Sequence, residues 1–207
     1  MAEANSHLTH AATLPLHEET LAAFSGPEIE TGTPEYLSLR HAMIGAANKL
    51  VAPGSRVLDL QCNDGRWIAP FVENFGGICR FVALSPDPDH RQSCMDRFRS
   101  DARQGSMEIG CLDINEDFPA VSARVVLSAF ALSKMSSERR LEVLRSVRKR
   151  VEKEGALILV EKVSSGHEGN SKGLSSGQWE GSLAEAGFKR VEVIWRRGPF
   201  VAWAATR

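Results

Sequence analysis

The side chains best suited to chemistry follow one apolar run in the first third of the chain. Residues 57–67 read VLDLQCNDGRW, an apolar segment that ends in a polar turn and then continues in a helical pattern. A strand, a tight loop and a helix in this order form a common nucleotide-binding unit, because loop amides and a helix N-terminus attract polar groups. Asp59 would either order this loop and hold a ligand amino group through water, or only cap loop amides.

The composition is that of one ordinary globular domain. The chain has 207 residues, of which 43% are hydrophobic and 25% charged, and its formal net charge is −1. These values allow a sizeable core and exclude a general attraction to nucleic acid or membrane surfaces. We expect a flexible N-terminal arm over residues 1–30 and a single domain over residues 31–207.

The sequence also argues against a membrane span and a metal site. No apolar run reaches the roughly 18 residues of a membrane span, and the first ten residues lack the features of a secretory signal. The four cysteines, Cys62, Cys79, Cys94 and Cys111, form no CxxC pair, so no structural metal is expected. Reduced thiols in a cytoplasmic protein are the simpler interpretation.

Apolar periodicity predicts helices and strands in alternation. Helices are predicted from Pro34 to Val51, around Trp67, Phe71 and Phe75, from His90 to Arg103, from Ser137 to Gly155 and from Trp179 to Ala186. Strands are predicted over residues 57–60, 78–84, 107–112, 124–130 and 156–160, with a hairpin of residues 191–195 and 200–205. This order predicts an α/β fold: a mostly parallel, twisted sheet with helices on both faces and a C-terminal antiparallel hairpin.

The same order, with its closing hairpin, resembles the Rossmann-like fold of the class I S-adenosylmethionine (SAM)-dependent methyltransferases. More narrowly, the chain resembles the carboxy-SAM synthase family, which acts in wobble-uridine modification of tRNA. Three stretches carry this likeness: residues 33–45, residues 125–139, and residues 155–163 with the EAGF of 185–188. Together they extend over most of residues 33–205.

The resemblance implies a set of SAM contacts. Tyr36 would approach the methionine part, Gln61, Cys62 and Asn63 would lie beneath the methionyl and ribose groups, Ser85 would face the ribose, Asp113 and Ile114 would flank the adenine, and Ser128 would line the floor under the sulfonium. Two of these residues have simpler alternatives. Tyr36 suits a half-buried position on its helix, and Asp113 suits a turn in which it pairs with backbone amides.

The chain departs from the family pattern at three places. The methyltransferase loop reads roughly Asp-x-Gly-x-Gly-x-Gly, and here only Asp59 and Gly65 match it, with Gln61 at a glycine position. Ser85 stands where an acid normally accepts two ribose hydroxyls, a loss of about 1–2 kcal/mol or roughly tenfold in affinity. Residues 164–177 replace the long helical insertion, with its carboxylate-binding arginine, of the carboxy-SAM synthases.

Three functions follow in order of preference. The first is a SAM-dependent methyltransferase with an unidentified small-molecule or protein acceptor, in which catalysis is mainly positional. The second is a non-catalytic binding or assembly protein with a degenerate cofactor site, and the third a carboxy-SAM synthase-like tRNA modification enzyme. No catalytic residue is predicted from the sequence, and His167 and Glu161 are the first to test.

The remaining expectations concern partners. The helix from Arg139 to Arg150 carries six basic residues, which would form either an RNA-binding patch or a solvated face balanced by neighbouring glutamates. The solvated face is the favoured interpretation. A homodimer is possible, and neither a membrane nor a metal is expected.

Overall fold

Seven strands form one mixed sheet in the order β3-β2-β1-β4-β5-β7-β6. This computed structural model describes residues 29–113, 121–164 and 173–207. The strands are β1 (Arg56–Asp59), β2 (Arg80–Leu84), β3 (Met107–Gly110), β4 (Ala123–Ala129), β5 (Val151–Lys162), β6 (Arg190–Arg197) and β7 (Phe200–Thr206). The predicted α/β architecture is therefore confirmed.

The strand order reverses between β1 and β4, which pair in parallel with Asp59 beside Leu127. The chain runs outward from β1 to β2 and β3, and then returns to start the other half of the sheet at β4. Loops that leave the carboxyl ends of such neighbouring strands diverge to opposite faces, and the crevice between them is where open α/β sheets bind ligands. The loop that follows Asp59 lies at this crevice.

The predicted C-terminal hairpin is also confirmed. Strand β7 lies between β5 and β6 and pairs antiparallel with both of them. Its buried residues alternate between the two faces of the sheet, with Ala202 in one core and Trp203 in the other.

Helices cover both faces of the sheet. They are α1 (Pro34–Asn48), α2 (Ala69–Phe75), α3 (Pro88–Arg97), α4 (Arg99–Arg103), α5 (Ser137–Arg150) and α6 (Ser176–Glu185). One core joins α1, α2 and α3 to the sheet through Leu39, Phe71 and Cys94, and the other joins α5 and α6 through Leu144 and Leu183. None of these helices is long and apolar enough to cross a membrane.

The sequence prediction was wrong where α5 meets β5. The helix ends at Arg150, and Val151 already pairs with Ala123 as a strand residue. A bulge then brings buried Gly155 so close to the carbonyl oxygen of Arg124 that no Cβ atom would fit there. Glycine at 155 therefore serves a close strand contact rather than a helix end.

Smaller corrections concern helix boundaries. Helix α1 stops at Asn48 rather than Val51, and the predicted helix from His90 to Arg103 is two helices that meet at Phe98. Trp67 lies in a turn before α2 and not on the helix itself. It is nevertheless buried in the same core as Phe71 and Phe75, as its spacing indicated.

Candidate functional site

The loop after β1 has the tight geometry expected of a ligand cradle. Asn63 and Gly65 both adopt left-handed backbone conformations, with φ values of 46° and 81°. The amide of Cys62 donates to the carbonyl oxygen of Leu84 at the end of β2, and the amide of Gly65 donates back to Cys62. The loop is thus fixed to the neighbouring strand at one end and folded on itself at the other.

Gly65 is required for two separate reasons. Its positive φ is costly for a residue with a Cβ atom, and a Cβ atom there would lie 2.5 Å from Cε2 of Phe98. Phe98 is 5% exposed and belongs to the core beneath α3 and α4. Glycine at 65 therefore lets the loop pack directly on these helices.

Two arginines hold the loop from outside. Arg66 donates from Nε to the Asp64 carboxylate at 2.9 Å, and Arg97 on α3 donates to the Asp64 carbonyl oxygen at 2.8 Å. Burial by itself raises the pKa of Asp64, yet hydrogen bonds from Arg66 and the positive charges of Arg66 and Arg97 hold that pKa below its usual range. Asp64 thus remains a carboxylate that links the loop to α3.

Asp59 is a buried acid with one free oxygen. Its side chain has no exposed surface, Oδ1 accepts from the amide of Gln61 at 3.1 Å, and Oδ2 has no partner among the described residues. Burial raises the pKa of Asp59 to about 7, although the Gln61 hydrogen bond acts in the opposite direction. An unpaired buried carboxylate oxygen costs free energy, so this position favours a cationic or hydrogen-donating group from a ligand.

The next two side chains are buried as well. Gln61 is 4% exposed, so the residue at the glycine position of the family pattern lies inside the protein. The thiol of Cys62 donates to the carbonyl oxygen of Asn63 at 3.7 Å, and the neighbouring thiol of Cys94 on α3 together with burial raises the pKa of Cys62. A thiol held protonated in this way packs as a small apolar residue and is a poor nucleophile.

Ser85 occupies the end of β2, where it organises a turn. Its hydroxyl accepts the amide of Asp87 at 3.2 Å, while Arg91 donates to its carbonyl oxygen at 2.9 Å. Asp87 is the N-cap of α3 and accepts the amides of Asp89 and His90. The carboxylate nearest to Ser85 in sequence is therefore already committed to the helix start.

An aromatic row lies beside the loop. The ring centroid of Trp67 is 5.6 Å from that of Tyr36 and 5.5 Å from that of Phe130, and Phe130 meets Phe200 edge-on at 5.9 Å. The hydroxyl of Tyr36 donates to the carbonyl oxygen of Arg66, whereas the indole N–H of Trp67 has no partner within the described ranges. Sequence reasoning missed Phe130, because an aromatic residue after a strand carries no distinctive signal.

The other predicted contact residues are more scattered. Ser128 is fully buried, and its hydroxyl has no partner in the part of the chain that the structure describes. Its strand neighbour Leu159 belongs to the core under α5 and α6, so Ser128 faces away from the core that holds the aromatic row. Asp113 is half-buried, while Ile114 lies outside the described residues.

Of the two residues named for a catalytic test, His167 lies outside the described residues and Glu161 lies at the end of β5. Glu161 is fully buried and accepts the amide of Leu132 at 2.9 Å. Burial raises its pKa to about 8. Arg140 donates to the carbonyl oxygens of Leu132 and Met135, so the side chains of Glu161 and Arg140 both hold the loop between β4 and α5.

The basic helix α5 is largely engaged with the protein itself. Arg139 pairs with Glu142, Arg145 pairs with Glu185, and Arg148 donates to the carbonyl oxygen of Gly187 at 2.6 Å. Within the described ranges, no group of three or more His, Cys, Asp or Glu side chains could hold a metal ion.

Comparisons with known proteins place this geometry in context. No protein-family model matches the chain. It is 28% identical over 144 residues to carboxy-S-adenosyl-L-methionine synthase of Idiomarina loihiensis, covering 65% of this chain and 56% of that protein. The enzyme of the same name from Yersinia pestis is 28% identical over 152 residues, covering 71% and 55%. The chain therefore spans little more than half the length of these relatives.

Solved structures give the clearer answer on architecture. The chain matches the SAM-dependent methyltransferase SibL with a TM-score of 0.65 at 18% identity, over 82% of this chain and 54% of SibL. It matches the glycopeptide N-methyltransferase MtfA, solved with SAM, with a TM-score of 0.64 at 16% identity, over 86% and 88% of the two chains. The chain has the class I methyltransferase fold. This methyltransferase-fold protein is also a distant homologue of the carboxy-SAM synthases.

Proposed function

We propose that this methyltransferase-fold protein binds SAM at the loop of residues 59–65 and transfers its methyl group to an acceptor. The observation that carries the proposal is the buried oxygen of Asp59 at the reversal point of the sheet, which has no partner among the residues that the structure describes. The ammonium of the SAM methionine part is a cationic donor that would complete this site. The left-handed loop at Asn63 and Gly65 presents its backbone beside the same position.

The ribose end of the site fits SAM less well. Ser85 offers one neutral hydroxyl, already engaged with the amide of Asp87, and Asp87 is occupied as a helix cap. The methionine end would therefore supply most of the polar recognition. We expect cofactor affinity roughly tenfold weaker than a ribose-binding carboxylate would give.

When bound, SAM supplies an activated methyl group, so the protein needs no residue to make the donor reactive. The chain's own residues would position the ligand and exclude water. Trp67 and Leu132 are almost completely buried, and Glu161 with Arg140 fixes the loop that contains Leu132. We expect catalysis to depend on orientation of the two ligands and exclusion of water rather than on acid–base chemistry.

Calorimetric titration with S-adenosylhomocysteine (SAH) tests the proposal without requiring the acceptor. We expect saturable binding in the micromolar range that is weakened by Asp59→Ala. Cys79→Ala is the matched control, because Cys79 is buried in the core that also holds Cys62 but lies just before β2, at the opposite end of that strand from the loop. Absence of heat at high micromolar SAH would exclude the cofactor site.

A second function is a non-catalytic binding or assembly protein that keeps the fold. The buried Gln61 and the serine at 85 favour it, since both differ from the methyltransferase pattern. The same titration separates the two functions. Carboxy-SAM synthesis is less favoured than either function, because the chain spans little more than half the length of the relatives that carry that name.

A cytoplasmic location is part of the proposal. All four cysteines are free thiols, as expected in a reducing compartment.

A further inference from the structure

Phe130 is held in a conformation that its own residue type disfavours. It follows the last residue of β4 with a φ of 56°, in the left-handed region where a bulky aromatic residue is a rare outlier. Its amide still donates to the carbonyl oxygen of Val160, so the backbone there is well fixed. Strained residues of this kind persist where the surrounding structure needs the side chain in one place.

The ring of Phe130 joins three separate segments at the carboxyl edge of the sheet. It contacts Trp67 from the loop after β1 and Phe200 from the hairpin. Phe130 and Phe200 are only half-buried, whereas Trp67 is 1% exposed. We call these three rings the aromatic wall. It offers accessible ring surface beside the crevice between β1 and β4.

The aromatic wall also contains one unsatisfied donor. The indole N–H of Trp67 is buried and has no partner in the described part of the chain, although the neighbouring Tyr36 hydroxyl is satisfied by the carbonyl oxygen of Arg66. Buried tryptophan N–H groups usually find an acceptor. A ligand with ring surface and one acceptor atom would match both features of the wall.

We propose that the aromatic wall binds the second ligand of this protein, and that this ligand is a planar aromatic molecule with a hydroxyl or ring nitrogen. The inference rests on the proposed function in treating that ligand as the methyl acceptor. Rings stack on Phe130 in preference to saturated groups because aromatic pairs gain beyond the area that they bury. The acceptor atom of the ligand takes the Trp67 N–H.

The test compares 2-naphthol with its saturated counterpart, decahydro-2-naphthol, by saturation-transfer NMR and calorimetry. We expect the wild-type protein to bind 2-naphthol at least tenfold more tightly than decahydro-2-naphthol. The indole resonance that Trp67→Phe removes is expected to shift when 2-naphthol binds. Equal binding of the two compounds, or binding of neither, would overturn the proposal.

Variants separate a binding role of Phe130 from a packing role. Phe130→Leu keeps an apolar side chain but no ring, and is expected to lower 2-naphthol affinity at least tenfold. Phe75→Leu is the control, since Phe75 is an aromatic residue of the same core at the far end of α2. If Phe130→Leu binds 2-naphthol as the wild type does, the wall is only part of the core. Thermal melts verify that both variants are folded.

Titration of the same proteins with SAH keeps this proposal distinct from the proposed function. SAH binding without 2-naphthol binding overturns the aromatic wall alone. Binding of 2-naphthol without SAH binding overturns the cofactor assignment and leaves the wall as a binding site.

Discussion

Within the described ranges the carboxylate of Asp59 accepts one hydrogen bond, from the amide of Gln61 two residues later, at 3.1 Å from Oδ1. Because the side chain is fully buried, no solvent compensates the second oxygen. A SAM ammonium against Oδ2 would favour the charged form and lower the pKa of Asp59 from about 7.

SAH affinity is therefore expected to depend on pH. Below about pH 7 Asp59 is protonated in the free protein, and ligand binding must release that proton. The affinity should fall up to about tenfold for each pH unit below 7 and level off above it. Calorimetric titrations with SAH from about pH 5.5 to about pH 8.5 measure this dependence, because that range extends to both sides of the Asp59 pKa. Asp59→Asn should give weaker, pH-independent binding; an unchanged slope in that variant contradicts the prediction.

The stability of the fold is expected to fall as the pH rises, because the buried carboxyl group of Glu161 loses its proton. Burial raises the pKa of Glu161 from 4.5 to about 8, so between these values the folded state holds a proton that the unfolded state releases. The free energy of unfolding thus decreases with rising pH, by up to about 5 kcal/mol in total for such a shift.

Denaturant unfolding of the wild type and Glu161→Gln at several pH values tests this. Asp59 acts in the same direction as it titrates around pH 7, but it is common to both proteins, so the difference between their two curves over the interval from about pH 5 to 8 isolates Glu161. The glutamine can still accept the Leu132 amide, and its curve should be flatter in that interval. Parallel curves would contradict the role of Glu161.

Gly65→Ala should destabilise the protein by about 2–4 kcal/mol, through its positive φ and the contact with Phe98. Gly181→Ala is the matched control, because a Cβ atom at 181 in α6 meets nothing within 4 Å. Alanine there should stabilise by up to about 1 kcal/mol, since it is the better helix former. Thermal and urea unfolding measure both variants. A Gly65→Ala protein as stable as Gly181→Ala would mean that the loop can shift away from Phe98.

Ser85→Asp should tighten SAH binding about tenfold, by supplying a carboxylate for the ribose hydroxyls. An aspartate can also accept the amide of Asp87 two residues on, as the serine hydroxyl does, so the turn should be preserved. Ser85→Ala can neither accept the amide of Asp87 nor offer a polar group to the ribose, and it should bind SAH no better than the wild type does. If the aspartate and alanine variants have the same affinity, the ribose does not lie at β2.

The sheet could be predicted from the sequence because its central strands are uninterrupted apolar runs between turn signals. Val125, Val126 and Leu127, for example, are all buried. The junction between α5 and β5 at Val151 could not be predicted, since Val151 continues the helical spacing of Leu144 and Val147. The pairing of Val151 with Ala123, together with the close contact of Gly155 with Arg124, decides between helix and strand there.

The candidate site was predictable only in its local part. The loop from Asp59 to Gly65 was expected from strand, turn and helix signals in adjacent residues. Arg97 reaches Asp64 from 33 residues away, and Phe130 meets Trp67 only through the fold. Such contacts depend on tertiary packing, which residue types and spacing do not encode directly.

The position of β7 has a consequence for folding during synthesis. This strand is made after β6 yet lies between β6 and β5. Until residues 200–206 emerge, β6 therefore has no sheet partner and β5 is paired with β4 along one edge alone. Until then β5 presents an unpaired apolar edge over residues 156–160, which can pair with other chains. Growing chains stalled before position 200 should therefore be the species that most requires a chaperone.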